Sequence, residues 1–227
     1  MTSLPLHVAV FVKTPGLSPV KTRLAAGIGE KRAGVFYQLA CVAVREVLAA
    51  AAKEMPPLQG YWAVAEPGGA AMWLDLPTVA QGEGGLGTRL AVVYEAMRAK
   101  DRFGAAVLIG ADAPQLTLTT FALTRAALEG GADFVIGPAA DGGFYLFAGL
   151  RPLDAALWES VPYSQSNTTT ELKKQLAPIG RVALLETLTD VDEEKDLGPA
   201  TKELANVVHP TPAQLELMAW LGRQRSE

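Results

Sequence analysis

The sequence predicts a single α/β domain with a mainly parallel central sheet and helices on both faces. Two observations predict it: short, near-continuous apolar runs that read as buried strands, and their alternation with helical stretches. A third is that no linker, repeat or low-complexity tract divides the 227 residues, a length that one domain can fill.

Taken in order, residues 6–12 form a first buried strand, followed by a loop over 13–21 rich in Gly, Pro and Lys and a long helix over 30–53. That helix carries Val35, Leu39, Val42 and Val47 at helical spacing. Strands over 60–65 and 78–80 lead to a helix over 86–100 and then to the clearest later strand, 105–110. A helix over 117–129 starts at a Thr; strands over 133–137 and 144–147 follow, the second directly after a Gly-Gly turn. Helices over 153–159 and 169–176, a strand over 182–185 and a helix over 193–204 continue the chain. Thr211 as N-cap and Pro212 at the first helical position open a terminal helix over 213–221, within 211–223.

Composition narrows the function classes. At 49% hydrophobic and 19% charged residues the chain is ordinary globular protein. A net charge of −4 argues against nucleic acid as a partner, because a polyanion needs a basic face, but leaves room for an anionic small ligand in a local basic pocket. The single cysteine, Cys41, excludes an internal disulfide and a Cys-based zinc site, and its apolar surroundings in sequence predict a buried thiol. His7 and His209 are too isolated to suggest a histidine-rich metal site. No charged-then-apolar leader precedes the first strand, and Arg45 and Glu46 interrupt the alanine-rich stretch 42–52, so the expectation is a cytoplasmic protein with no membrane partner.

In open α/β sheets ligands sit beyond the carboxyl ends of the strands. Four polar stretches follow strands here. The first holds Lys13, Thr14, Pro15, Gly16, Lys21, Thr22 and Arg23, whose cations, hydroxyls and glycine suit a loop that wraps phosphates. Its spacing is not that of a Walker A loop. The second holds Asp112, a carboxylate able to ligate Mg²⁺ or to cap a helix. The third is Asp141-Gly142-Gly143, a tight turn or a close approach of backbone to a ligand. In the fourth, Asp190 and Asp192 point to one side of an extended backbone and could complete a metal site with Asp112, or serve only the next helix. One basic loop with three acidic turns is the set a phosphate-handling, metal-dependent enzyme needs.

A rival motif is Gly82-Glu83-Gly84-Gly85-Leu86-Gly87, which fits the Gly-x-Gly-x-x-Gly dinucleotide fingerprint. It follows a weak strand in mid-chain, and Asp112 comes 25 residues after Gly87, farther than the usual ~20. A glycine-rich loop beside a base or ribose accounts for it equally well.

The order of these motifs resembles a bacterial family of unknown-function proteins (DUF2064-like) described as glycosyltransferases, within the nucleotide-diphospho-sugar transferase superfamily. The resembling pieces are Lys13, Pro15, Gly16 and Lys21-Thr22-Arg23-Leu24; Gln81-Gly82 with Leu86-Gly87 and Arg89; and residues 110–114, Gly-Ala-Asp-Ala-Pro. They continue with residues 137–146, which carry Asp141-Gly142-Gly143, and with Asp190-Val191-Asp192 and Asp196-Leu197. Together they span about residues 6 to 198. The resemblance implies a GT-A fold with a nucleotide-binding half over about 6–115 and an acceptor half over about 116–206. It implies that Lys13, Lys21 and Arg23 meet phosphates, Gln81 and Gly82 the base, and Asp112 with Asp190 or Asp192 a Mg²⁺ or Mn²⁺ ion. The sequence departs from the family where Tyr163-Ser164 stands in place of Trp-Ser, and it lacks the Asp-x-Asp at 110–114 of many glycosyltransferases of this fold.

The expected activity is transfer of a nucleotidyl group from a nucleoside triphosphate to a small anionic acceptor. Thr14, Pro15, Gly16 and Gly87 join the nucleotide contacts, Asp141, Gly142 and Gly143 meet the acceptor, and Lys21, Arg23 and Asp112 carry the chemistry. The alternative is glycosyl transfer from a nucleotide-sugar. A dinucleotide-dependent oxidoreductase and a non-catalytic nucleotide-binding protein are further readings. The oligomeric state is left open, a dimer included.

Overall fold

The computed structural model describes residues 3–224. Its centre is one seven-stranded sheet in the order β3-β2-β1-β4-β6-β5-β7. These strands are β1 Leu6–Val12, β2 Leu58–Val64, β3 Thr78–Ala80, β4 Ala105–Gly110, β5 Phe134–Pro138, β6 Phe144–Gly149 and β7 Val182–Leu184. β1 lies between β2 and β4, parallel to both, with Val10 opposite Trp62 and Ile109. Only β6 runs against its neighbours β4 and β5. The mainly parallel α/β sheet expected from the apolar runs is therefore what forms.

Side-chain alternation sends the two faces of the sheet to two separate cores. Val8, Val10, Val12 and Val107 pack against the helices α2 (Glu30–Glu54) and α4 (Leu118–Glu129). Ala9, Ala63, Ala106 and Leu108 pack on the other face against α3 (Leu86–Arg98), α5 (Ala155–Ser160) and α6 (Thr168–Leu176). A third cluster lies outside α2, where Ala33, Phe36 and Ala40 meet α1 (Thr22–Ile28), α7 (Glu194–Ala205) and α8 (Pro212–Gln224). Covered from two sides, α2 must be apolar over most of its surface. That explains why it is long and apolar enough to cross a membrane by length and composition while half of that stretch is buried inside the protein.

Two elements escaped the sequence reading. α1 follows directly on the basic loop and contains Gly27, a poor helix former, and a 3₁₀ turn spans Pro67–Met72. The terminal helix starts as its residues dictate: Thr211 N–H donates to Gln214 Oε1 at 2.9 Å, and Gln214 N–H donates back to Thr211 Oγ1.

Candidate active site

The carboxyl ends of β1 and β4 meet the segment after β7, and that meeting point gathers the charged residues. Val191 N–H donates to the Asp112 carbonyl at 3.1 Å, which pins the segment holding Asp190 and Asp192 against the loop after β4. The segment is held from behind as well. Glu203 of α7 accepts from the Thr189 backbone N–H, the Thr189 hydroxyl and the Gln115 amide.

The basic loop after β1 is fixed by contacts on its far side. Lys13 N–H donates to the Tyr37 hydroxyl at 2.8 Å, and the same hydroxyl donates to the Lys13 carbonyl at 2.9 Å. Thr14 is fully buried; its N–H donates to Glu66, and its hydroxyl accepts from the Trp73 indole at 3.0 Å. Gly69 is part of the same clasp, since a Cβ there would lie 2.2 Å from the Thr14 hydroxyl. Thr14 thus anchors the loop, while Lys13 and residues 19–23 line the cleft. Pro15 and Gly16 form the outer turn of the loop and do not line it, and Gly16 takes φ +88°.

Lys21 is the pivot of the site. Its side chain is 5% exposed, and its Nζ donates to Asp112 Oδ1 at 2.8 Å, Asp192 Oδ1 at 3.1 Å and the Val191 carbonyl at 2.6 Å. Burial opposes the ammonium charge, but Asp112 and Asp192 outweigh it and hold its pKa above the usual lysine value. Its backbone lies in the left-handed region (φ 48°, ψ 43°) at the N-cap of α1, uncommon for a residue with a side chain. Arg23, more exposed, pairs with Asp192.

Asp190 lies deeper. Burial first, then the nearby Asp112 charge, raises its carboxyl well above the ordinary range, and Lys21 only partly offsets this. Its Oδ1 is buried without a hydrogen-bond partner. Such an oxygen is what a cation would satisfy. As the side chains lie, no three His, Cys, Asp or Glu residues among the described residues are grouped closely enough to hold a metal. The donor set still fits a hard cation: Asp112, Asp190 and Asp192 all line one pocket together with Asp141.

That pocket is the acidic side of the cleft. Asp141 Oδ1 accepts from Gly143 N–H at 2.8 Å, and both residues line the cavity. Gly142 turns away from it: with φ +93°, it sits so close to Ser166 that a Cβ would come 2.0 Å from the Ser166 carbonyl oxygen. The remaining wall is aromatic and aliphatic, with Phe11, Leu86, Phe144, Tyr145 and Tyr163. Ser164, also on the wall, has φ 57°. The basic and acidic sides share Phe11, Arg23, Leu86, Asp112 and Asp192, so they form one continuous cleft.

Gln81 lines the basic side, but its amide is engaged with the chain: Nε2 donates to the carbonyls of Val12 and Ala63, and Oε1 accepts from Arg89. Gly82 takes φ +75° beside it and lies outside the wall. Gly87 is a packing glycine, since a Cβ would come 2.6 Å from the Trp158 carbonyl oxygen. The glycine-rich stretch follows the edge strand β3, whereas a dinucleotide fingerprint follows the first strand of its unit near the sheet centre. Sequence reading missed Tyr37, Phe144 and Tyr145 as lining residues, and marked Tyr163 only as a departure from the family. The lone tyrosine in the apolar run of α2 was a signal for Tyr37; the aromatic wall is built from three distant segments and gave none.

Comparison with known proteins gives a family and a fold. Residues 43–165, more than half of the chain, match the family described as "Uncharacterized protein conserved in bacteria (DUF2064)". No curated protein matches the sequence. Among solved structures, one from Desulfovibrio desulfuricans, assigned provisionally as a nucleotide-diphospho-sugar transferase, superposes with a TM-score of 0.81 at 21% identity. That match covers 97% of this chain and 95% of the other. The 4-diphosphocytidyl-2C-methyl-D-erythritol synthase of Anaerococcus prevotii has a TM-score of 0.53 at 11% identity, covering 97% of each chain. A cytidylyltransferase from Leptospira borgpetersenii has a TM-score of 0.51 at 10% identity, covering 98% of this chain and 96% of the other. At such identities the likeness establishes the fold, that of the nucleotide-diphospho-sugar transferases. The chain belongs to the bacterial DUF2064 family and has that fold.

Proposed function

We propose that this protein is a metal-dependent nucleotidyltransferase that binds a nucleoside triphosphate on the basic side of the cleft and a small anionic acceptor on the acidic side. The observation that carries the reading is the continuity of the two sides at Arg23, Asp112 and Asp192. Phosphates would meet Lys13, Lys21 and Arg23, the base would lie toward Gln81 and Gly82, and the acceptor would lie toward Asp141 and Gly143. The nucleotide half is then built mainly from residues 6–115 and the acceptor half from 116–206. We place the protein in the cytoplasm.

In this reaction an acceptor oxygen bonds to the α-phosphorus while the bond to the bridging oxygen breaks and pyrophosphate leaves. Lys21 and Arg23 would offset the charge that develops on the leaving group. Mg²⁺ or Mn²⁺, held by Asp112 with Asp190 or Asp192, would neutralise phosphate oxygens. Four carboxylates line the acceptor side, so an anionic acceptor depends on that ion and on Arg23 to enter it.

One observation favours a second reading, glycosyl transfer from a nucleotide-sugar. Carboxylate acceptors beside the aromatic faces of Phe144, Tyr145 and Tyr163 suit a hydroxylated ring. A thermal-shift screen of nucleoside triphosphates, nucleotide-sugars and NAD(H), each with and without Mg²⁺ or Mn²⁺, separates the readings. A ligand at about 100 times its Kd stabilises by ~2.7 kcal/mol. A metal-dependent shift with a triphosphate supports nucleotidyl transfer, and one with a sugar nucleotide supports glycosyl transfer. A metal-independent shift with NAD(H) alone overturns both. Asp112→Asn should lower metal-dependent turnover on the order of 10²-fold or more while the protein stays folded; full activity in that variant, measured as pyrophosphate release, would remove Asp112 from the site.

A further inference from the structure

We propose that Lys21 is a resident cation that occupies the acidic site in the nucleotide-free protein, and that a divalent ion enters only when a triphosphate draws Lys21 away. This rests on the nucleotide-and-metal reading above and adds an order of events to it.

Three observations carry it. First, all three protons of the Lys21 ammonium are spent inside the protein, on Asp112, Asp192 and the Val191 carbonyl, at 2.8, 3.1 and 2.6 Å. In this state it has no proton left for a phosphate, although its side chain forms part of the basic wall. Second, the ammonium bridges two of the carboxylates that a metal would need. A hard divalent ion requires oxygens at roughly 2.0–2.6 Å, and it cannot share them with an ammonium already seated between them. This accounts for a pocket lined by Asp112, Asp141, Asp190 and Asp192 in which no three acids are grouped as a metal site. Third, Asp190 Oδ1 is buried and unpartnered beside this arrangement. Lys21 and Arg23 together do not satisfy the four acids, and a further cation is called for once its place is cleared.

The backbone offers a place for the exchange. Lys21 is the N-cap of α1, at the joint between the loop and the helix, and its φ of 48° is a conformation that a non-glycine residue holds only against strain. A triphosphate on the basic wall gives the ammonium new oxygen acceptors. Asp112 and Asp192 are then released to a metal that the same phosphates help to coordinate. Metal and nucleotide therefore bind with positive coupling, each favouring the other.

The test is Mn²⁺ binding followed by electron paramagnetic resonance on wild type, Lys21→Met and Lys53→Met, without nucleotide and with non-hydrolysable analogues of the four common nucleoside triphosphates. Wild type alone should bind Mn²⁺ weakly, and at least tenfold more tightly in the presence of an analogue it accepts, after correction for Mn²⁺ held by free analogue. Lys21→Met should bind Mn²⁺ at least tenfold more tightly than wild type without any nucleotide. Lys53→Met, which removes the same charge from an exposed position outside the cleft, should stay within about twofold of wild type. Equal affinity in wild type and Lys21→Met, or an equal gain in both lysine variants, would overturn the proposal. If Lys21→Met does not fold, wild type alone decides: Mn²⁺ binding as tight without an analogue as with one overturns the proposal and leaves the nucleotide-and-metal reading standing. Failure of every protein to bind Mn²⁺ under all conditions would remove that reading, and this inference with it.

Discussion

Asp190 is a carboxylic acid placed where its charge is costly. Burial is the main reason, and Asp112, Asp141 and Asp192 all add repulsion, which Lys21 offsets only in part. Its pKa is raised in the folded protein relative to the unfolded chain. The stability tied to its protonated form is therefore complete below the ordinary carboxylate range and is lost as pH rises toward the folded-state value. Asp190→Asn cannot ionise and escapes that loss. In metal-free buffer containing a chelator the variant should match wild type near pH 4 and exceed it increasingly toward neutral pH, read as urea midpoints across the series. A gap that is constant with pH would show that the carboxyl ionises freely in the folded state. A site that is destabilising when empty is the usual companion of one built to hold a ligand. At this scale the sequence was informative about which residues carry charge and silent about their depth. Asp190 and Asp192 look alike as residues two apart in a strand-like stretch, yet one turns a carboxyl oxygen into the interior without a partner and the other pairs with Lys21 and Arg23.

The segment carrying Asp190 and Asp192 has little regular structure of its own and owes its position to a helix behind it. Glu203 on α7 accepts three hydrogen bonds, from the Thr189 backbone, the Thr189 hydroxyl and Gln115. Gln115 adds a second bond, to the Thr189 carbonyl at 2.7 Å, and so ties the end of the β4 loop to the same point. Glu203→Ala leaves these donors without their acceptor and should cost about 2–3 kcal/mol in urea denaturation. It should also weaken Mn²⁺ binding, although residue 203 lies outside the cleft wall. Unchanged stability would mean that the segment's other bonds, those from Val191 and Gln115 among them, hold it without Glu203. The helices and strands themselves were legible, since apolar period and caps are local properties; Thr211 and Gln214 show it at α8. α1 was not, because its stability comes from burying Leu24 in the third cluster rather than from its own seven residues.

At the scale of the whole molecule, that third cluster joins the site to the far helices. Leu24, one residue after Arg23, and Val191, between the two aspartates, are fully buried with Phe36, Leu217 and Trp220. The basic loop and the acidic segment therefore rest on one packed layer formed by α1, α2, α7 and α8. The sheet order and the single antiparallel strand could not be read from local pattern, because strand pairing depends on contacts far apart in sequence. The charged strand ends could, because ligand sites in such sheets gather there. Thr14 is the instructive exception: it belongs to the predicted phosphate loop by position and to the protein interior by packing.

Cys41 lies in α2 one turn after Tyr37, 5% exposed, and burial first, then Asp112, pushes its thiol pKa up to about 12. It is the only sulfhydryl in the chain. At neutral pH it has almost no thiolate, so an added disulfide reagent can modify it only in molecules where α2 has come away from the sheet. Labelling kinetics then count openings directly, without any engineered probe. The labelling rate of the native protein should be far below that of the urea-unfolded chain, and it should fall further when a ligand closes over the loop that Tyr37 anchors. A rate that ignores every ligand able to raise the melting temperature would mean that α2 opens independently of the cleft.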